Sequence, residues 1–147
     1  LQAGLDQAKL RQDTLNSARF LKAHAASSGR LGVTGFCWGG GTTNWLAATL
    51  GAEMQAGAPF YGAAQPAEAV ARIKAPLLIH YAENDANINN LWPAFEAALK
   101  ANAVPHEAHF YPGTQHGFHN NSTPRYQEAA AKLAWDRTVA WFRRYLA

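Results

Sequence analysis

Eleven residues constrain this chain more than any others: Leu31-Gly32-Val33-Thr34-Gly35-Phe36-Cys37-Trp38-Gly39-Gly40-Gly41. Apolar, β-tolerant residues lead into Gly35. Cys37 follows, and a glycine run opens Thr42–Ala48, which reads as a helix. Strand, sharp turn and helix, with Cys37 at the apex, have the form G-x-C-x-G. This is a nucleophile elbow carrying cysteine instead of serine. The apex of such a turn is strained and its two arms pass close together, so side chains at Gly35 and Gly39 are expected to collide. Cys37 then opens a helix, where unpaired N–H groups and the helix dipole favour a thiolate.

Other chemistries compete for the same stretch. A lone cysteine among aromatics is often a small buried hydrophobe. Glycines between strand and helix also bind phosphate, but no G-K-[ST] follows here, and the run is out of register for G-x-G-x-x-G. Cys37, His116 and His119 are a possible zinc set, yet C-x-x-C, H-x-x-x-H and H-E-x-x-H spacings are all missing.

The 147 residues suit one domain with a real core, supplied by five Trp, five Tyr and seven Phe. Thirteen Lys and Arg against ten Asp and Glu give a formal charge of +3. These charges are scattered and do not form the basic stripe of a nucleic-acid binder. No apolar run approaches the ~20 residues that cross a bilayer. The expectation is a soluble chain, cytoplasmic or periplasmic, with no membrane or nucleic-acid partner; its oligomeric state is not legible. One cysteine forms no internal disulfide. The chain starts at Leu1 inside an apparent helix, which suggests that an N-terminal part is absent.

Residues 1–26 read as a helix, with Leu1, Leu5, Ala8, Leu15, Ala18 and Leu21 near a 3.6-residue period and Ser27-Ser28-Gly29 as its stop. The elbow strand is 31–36, and the helix after it ends near Gly51. Residues 56–62 suggest a strand, with Pro59 awkward in a central one. Residues 66–73 suggest a short helix with Pro66 in its first turn. Residues 76–82 form a strand apolar on both faces, 83–89 its exit loop and 90–102 a helix. Residues 106–111 are a strand, 112–124 a loop, and 124–146 a helix with Trp135, Val139, Phe142 and Leu146 on one stripe. Alternating strands and helices imply an α/β fold, a parallel sheet covered on both faces.

Sites in such sheets lie beyond the carboxyl ends of the strands, after residues 36, 62, 82 and 111. Cys37 follows the first of these. Glu83-Asn84-Asp85 follows the third, and Gln115-His116-Gly117-Phe118-His119 the fourth. Nucleophile, acid and histidine then come in α/β-hydrolase order. Cys37 would attack an acyl carbon, His116 would take its proton, and Asp85 would orient the imidazole. The N–H of Trp38 would provide half of an oxyanion hole. Glu83 is the rival to Asp85, and His119 the rival to His116. His116 is preferred because Gly117 permits a tight loop. His80 reads as a core histidine, His106 and His109 as structural or exposed, and Trp38 and Trp92 as packing residues.

With these residues in hand, the chain resembles the dienelactone hydrolases, or carboxymethylenebutenolidases. The matching pieces are Gly35-Phe36-Cys37-Trp38-Gly39-Gly40, Ala82-Glu83-Asn84-Asp85 and Tyr111-Pro112-Gly113-Thr114-Gln115-His116-Gly117-Phe118, with similarity continuing through Pro124-Arg125-Tyr126 and 129–135. The resemblance covers residues 1–147 as the C-terminal part of a single α/β-hydrolase domain whose N-terminal strands are missing. It implies a triad of Cys37, Asp85 and His116, no cofactor, and a small-molecule ester or lactone substrate. The missing strands would carry a second oxyanion donor, a glutamate near the resting thiol and an arginine for the substrate carboxylate. The archetype's arginine shortly after the histidine also has no counterpart before Arg125, so another ester or lactone is as good a substrate as dienelactone itself. The competing reading is a non-catalytic remnant or binding module that keeps the elbow.

Overall fold

The computed structural model describes residues 4–147; the expected helix start at Leu1 lies outside them. The chain divides after Leu31 into two compact units. The first holds α1, Gln7–Ala23. It begins later than periodicity suggests because Asp6 caps it, its carboxylate accepting the N–H groups of Ala8 and Lys9 at 2.9 and 3.1 Å. Of the apolar positions expected to share a face, Ala18 is buried while Leu5 and Leu21 are exposed.

The second unit, residues 32–147, is a parallel sheet of four strands in the order β1-β2-β3-β4. The strands are β1 (Gly32–Phe36), β2 (Ala56–Phe60), β3 (Leu77–Asn84) and β4 (His106–Gln115). The helices are α2 (Trp38–Leu50), α3 (Ala67–Val70), α4 (Ala86–Asn89), α5 (Trp92–Ala101) and α6 (Glu128–Leu146). Both inner strands, β2 and the apolar part of β3, are fully buried, as strands covered on both faces must be. Alternation sorts their side chains. Ala56, Ala58 and Leu78 pack on Trp141 of α6, and His80 reaches Thr138 of the same helix. On the opposite face a Cβ at Gly57 would meet Thr43 of α2, and Tyr81 packs on Trp92 of α5.

Pro59 does sit in an inner strand. The N–H groups on either side of it, from Gly57 and Tyr61, donate to Pro76 and His80 at 3.0 and 2.7 Å. Pro59 falls where the bond between them would be, so one missing rung is all the sheet loses. The strand ends at Phe60, two residues short of expectation, because Tyr61 turns to φ 35°.

Several expectations need correction. Residues 83 and 84 continue β3, and residues 112–115 continue β4, because these segments still pair (Asn84 opposite Gln115) across an irregularity. Helix α6 starts at Glu128, not 124. Its buried face is Ala131, Ala134, Thr138 and Trp141, while Trp135, Val139, Phe142 and Leu146 line a surface cavity of about 370 Å3. Phe142 and Leu146 still pack at the margin of this face, beside Gly32 of β1. Among the described strands β1 is an edge: Val33 is half-buried and Phe36 is 38 % exposed, though Leu31 is buried.

Candidate active site

The elbow forms as the glycines require, with one substitution in their roles. Cys37 takes φ 55°, a left-handed conformation that costs a non-glycine residue energy and marks an over-determined turn. A Cβ at Gly35 would lie 2.3 Å from the Gly39 carbonyl oxygen, so Gly35 must be glycine. A Cβ on Gly39 itself would meet nothing within 4 Å, so only its backbone takes part in that contact. The tight passage is between Gly40 and Gly62. A Cβ on Gly40 would sit 2.4 Å from the Phe60 carbonyl oxygen, and one on Gly62 would sit 2.1 Å from the Gly40 carbonyl carbon. The contact lets α2 start directly against the end of β2. The Cys37 N–H donates to the Phe60 carbonyl at 3.1 Å, which anchors the apex.

Three strand ends converge there. The His116 Nε2 is 2.9 Å from the Cys37 sulfur, and its Nδ1 is 2.5 Å from an Asp85 carboxylate oxygen. Asp85 is buried and His116 is one-third exposed. With Nδ1–H donated to the carboxylate, Nε2 is left as the acceptor facing the thiol. Glu83 lies apart from the imidazole; its carboxylate accepts the Gly113 N–H at 2.7 Å. The His119 ring packs on Phe36 and Phe60, with centroids 5.0 and 5.3 Å away, and on Trp135. Cys37, His116 and His119 therefore do not converge as a zinc set, and among the described residues no His, Cys, Asp and Glu group could hold a metal.

The thiol is not the acidic one expected of a helix start. Partial burial pushes its pKa up and the Asp85 charge adds to this, while Arg125 opposes them. Desolvation is the largest of these influences, and it disfavours the thiolate. Trp38 is the first residue of α2, and its N–H is one of the four without an intrahelical acceptor. Its indole is 57 % exposed, not packed. Trp92 does pack, on Tyr81, Phe95 and Phe110.

Two residues at the site escaped sequence reasoning. Tyr61, strained at φ 35°, lays its ring 4.9 Å from that of His116 and is buried. The pair Tyr61-Gly62 just beyond a strand end was the available signal. Arg125 comes back over Gly117 and, with Cys37, Tyr61, His119 and Asn120, lines a cavity of about 320 Å3. Eight residues lie between it and His116, too many for a motif.

The sequence profile of the dienelactone hydrolase family matches residues 2–146. The chain belongs to the dienelactone hydrolase family. A Bradyrhizobium protein named "Probable 2-oxo-3-(5-oxofuran-2-ylidene)propanoate lactonase" is 31 % identical over 97 % of this chain and 62 % of its own length. A Salmonella typhi protein named "Putative carboxymethylenebutenolidase" is 30 % identical over 99 % of this chain and 57 % of its own. The crystal structure of a Klebsiella pneumoniae protein titled "Putative Dienelactone Hydrolase" superposes with a TM-score of 0.85 at 30 % identity, over 99 % of this chain and 65 % of that one. The fold is accordingly that of the α/β-hydrolases, and the chain spans about three-fifths of the length of these relatives. Among the described residues no helix is long and apolar enough to cross a membrane.

Proposed function

We propose that these residues carry the nucleophile, base and acid of an ester or lactone hydrolase that works through a thioester. The observation that supports this most directly is the line from Asp85 through His116 to a sulfur on a strained apex, with contacts of 2.5 and 2.9 Å. Cys37 Sγ attacks the acyl carbon while His116 Nε2 takes the thiol proton. The tetrahedral oxyanion turns toward the Trp38 N–H at the helix start. The protonated imidazole is stabilised by Asp85 and gives its proton to the departing alkoxide or enolate, leaving an acyl-thioester on Cys37. His116 then removes a proton from water, which attacks the thioester and frees the acid and the thiol. In a lactone the leaving oxygen stays tethered and the product is one ring-opened acid.

Arg125 places a guanidinium in the cavity beside Cys37, which suits a substrate carrying a carboxylate. The lactone named for the Bradyrhizobium relative is such an anion. This weakens the sequence-based objection to acidic lactones, since Arg125 reaches the site from farther along the chain.

The test is an acyl-enzyme trap. An activated aryl ester should add one acyl group to the protein by intact mass, and the adduct should map to Cys37. Cys37→Ala should carry none. Acylation elsewhere, or none under conditions where Cys37 reacts with iodoacetamide, would favour the non-catalytic remnant.

A further inference from the structure

Between β3 and β4 the register jumps. Ala82 pairs with Tyr111 and Asn84 with Gln115, so Pro112, Gly113 and Thr114 stand opposite the single residue Glu83. This is a bulge in β4 that ends at Gln115, immediately before His116. Bulges re-aim the side chains that follow them. Gly113 takes φ +72° within it.

We propose that Glu83 is a positioning residue that latches this bulge and thereby holds His116 in line with Asp85 and Cys37. The inference rests on the reading that these three act together. Glu83 grips the bulge twice. Its carboxylate accepts the Gly113 N–H at 2.7 Å, and its own N–H donates to the Thr114 hydroxyl oxygen at 3.3 Å. That hydroxyl in turn donates to the Tyr111 carbonyl at 2.7 Å, closing the loop on itself. From the other side Asn89 Nδ2 donates to the carbonyls of Ala82 and Glu83 at 2.8 and 3.1 Å, which fixes the latch residue. The spacing makes this effective. Glu83 is two residues before Asp85 and Gly113 is three before His116, so one hydrogen bond spans the two strand ends just below the Asp85–His116 contact. Glu83 is exposed and does its work through reach and acceptor geometry, not through burial.

The test uses the whole chain and needs no substrate. Cys37 is the sole cysteine, so its alkylation by iodoacetamide is read directly. Near pH 7 the rate depends on His116 taking the thiol proton. Near pH 10 hydroxide competes with His116 for that proton, and the pH 7 to pH 10 rate ratio therefore reports the alignment of His116. Asp85, Arg125, Tyr61 and His119, the titratable groups around Cys37 and His116, are unchanged in the Glu83 variants. Glu83→Ala and Glu83→Asp, which is one methylene too short, should each lower this ratio about fivefold, the scale of one typical lost hydrogen bond. Glu83→Gln keeps an acceptor oxygen at full reach and should stay near wild type. His116→Gln is the reference. If it lowers the ratio and Glu83→Ala and Glu83→Asp do not, the latch is refuted and the triad reading stands. If Glu83→Gln falls with them, the effect is one of charge and the latch is again refuted. If His116→Gln leaves the ratio unchanged, the triad reading fails and the latch with it.

Discussion

Acid should destabilise this fold through a histidine that the site does not use. His80 lies buried in β3, its ring tilted against that of Phe60 with centroids 4.2 Å apart. Its proton inventory can be closed. The Thr138 hydroxyl donates to the Ala134 carbonyl at 2.9 Å, so it accepts from His80 Nε2–H at 2.9 Å. His80 Nδ1 then accepts from the Tyr111 hydroxyl at 2.8 Å, and that oxygen accepts from Arg137 at 3.2 Å. Every partner is used by the neutral ring. A second ring proton on Nδ1 would leave the Tyr111 hydroxyl proton without an acceptor, in a site where charge is desolvated and Arg137 and His109 are near. Burial first, and these neighbours second, push the pKa down to about 3 from 6.5. The folded pKa is depressed, so the stabilisation is complete above about pH 6.5 and is lost as pH falls toward 3. The slope is about 1.4 kcal/mol per pH unit, or about 2.7 kcal/mol between pH 7.5 and 4.5. His80→Gln removes this titration and leaves the others in place. Urea unfolding followed by tryptophan fluorescence should show the wild type ahead at pH 7.5 and its lead shrinking by about 2.7 kcal/mol at pH 4.5. A lead that stays constant with pH would refute the argument.

The remaining expectations concern the elbow, the cavity and the sheet edge. Gly62→Ala places a methyl group against the backbone of Gly40 and should cost about 3 kcal/mol or more, read as a lower urea midpoint; Gly39→Ala, with open space around it, should cost far less. Cys37→Ser should lose nearly all turnover of an activated aryl ester, because a hydroxyl is a far weaker acid than a thiol and needs a stronger base than one suited to a thiol. Arg125→Gln should lower kcat/KM about tenfold for a carboxylate-bearing aryl ester and leave a neutral one nearly unchanged; equal losses on both would remove Arg125 from recognition. Residues 1–147 alone should associate through the exposed edge of β1, and sedimentation should show species larger than the monomer. A monodisperse monomer would show that the edge is covered.

What the amino-acid sequence determined was local. Glycines around one cysteine specify strand, tight turn and helix, because few backbones satisfy that spacing. Apolar runs bounded by Gly, Pro and Asn mark the strands, and their alternation with helices implies the parallel sheet. Asp85 and His116 stood out because each follows a strand end on a short, turn-rich segment. The tertiary structure decided whatever depends on residues far apart in the chain. Glu83 and Asp85 differ by two places, and only the register jump between β3 and β4 decides which carboxylate meets the imidazole. Gly40 must be glycine because Gly62 passes against it, and Arg125 enters the cavity because the segment after His116 folds back. The thiol pKa turned on the same kind of fact. The helix start was readable from sequence, but the burial that raises the pKa, and the Arg125 and Asp85 charges that act on it, come from the folded surroundings. Sequence period fixes the faces of an element; packing distance, which falls off over a few ångströms and ignores chain separation, fixes what those faces touch.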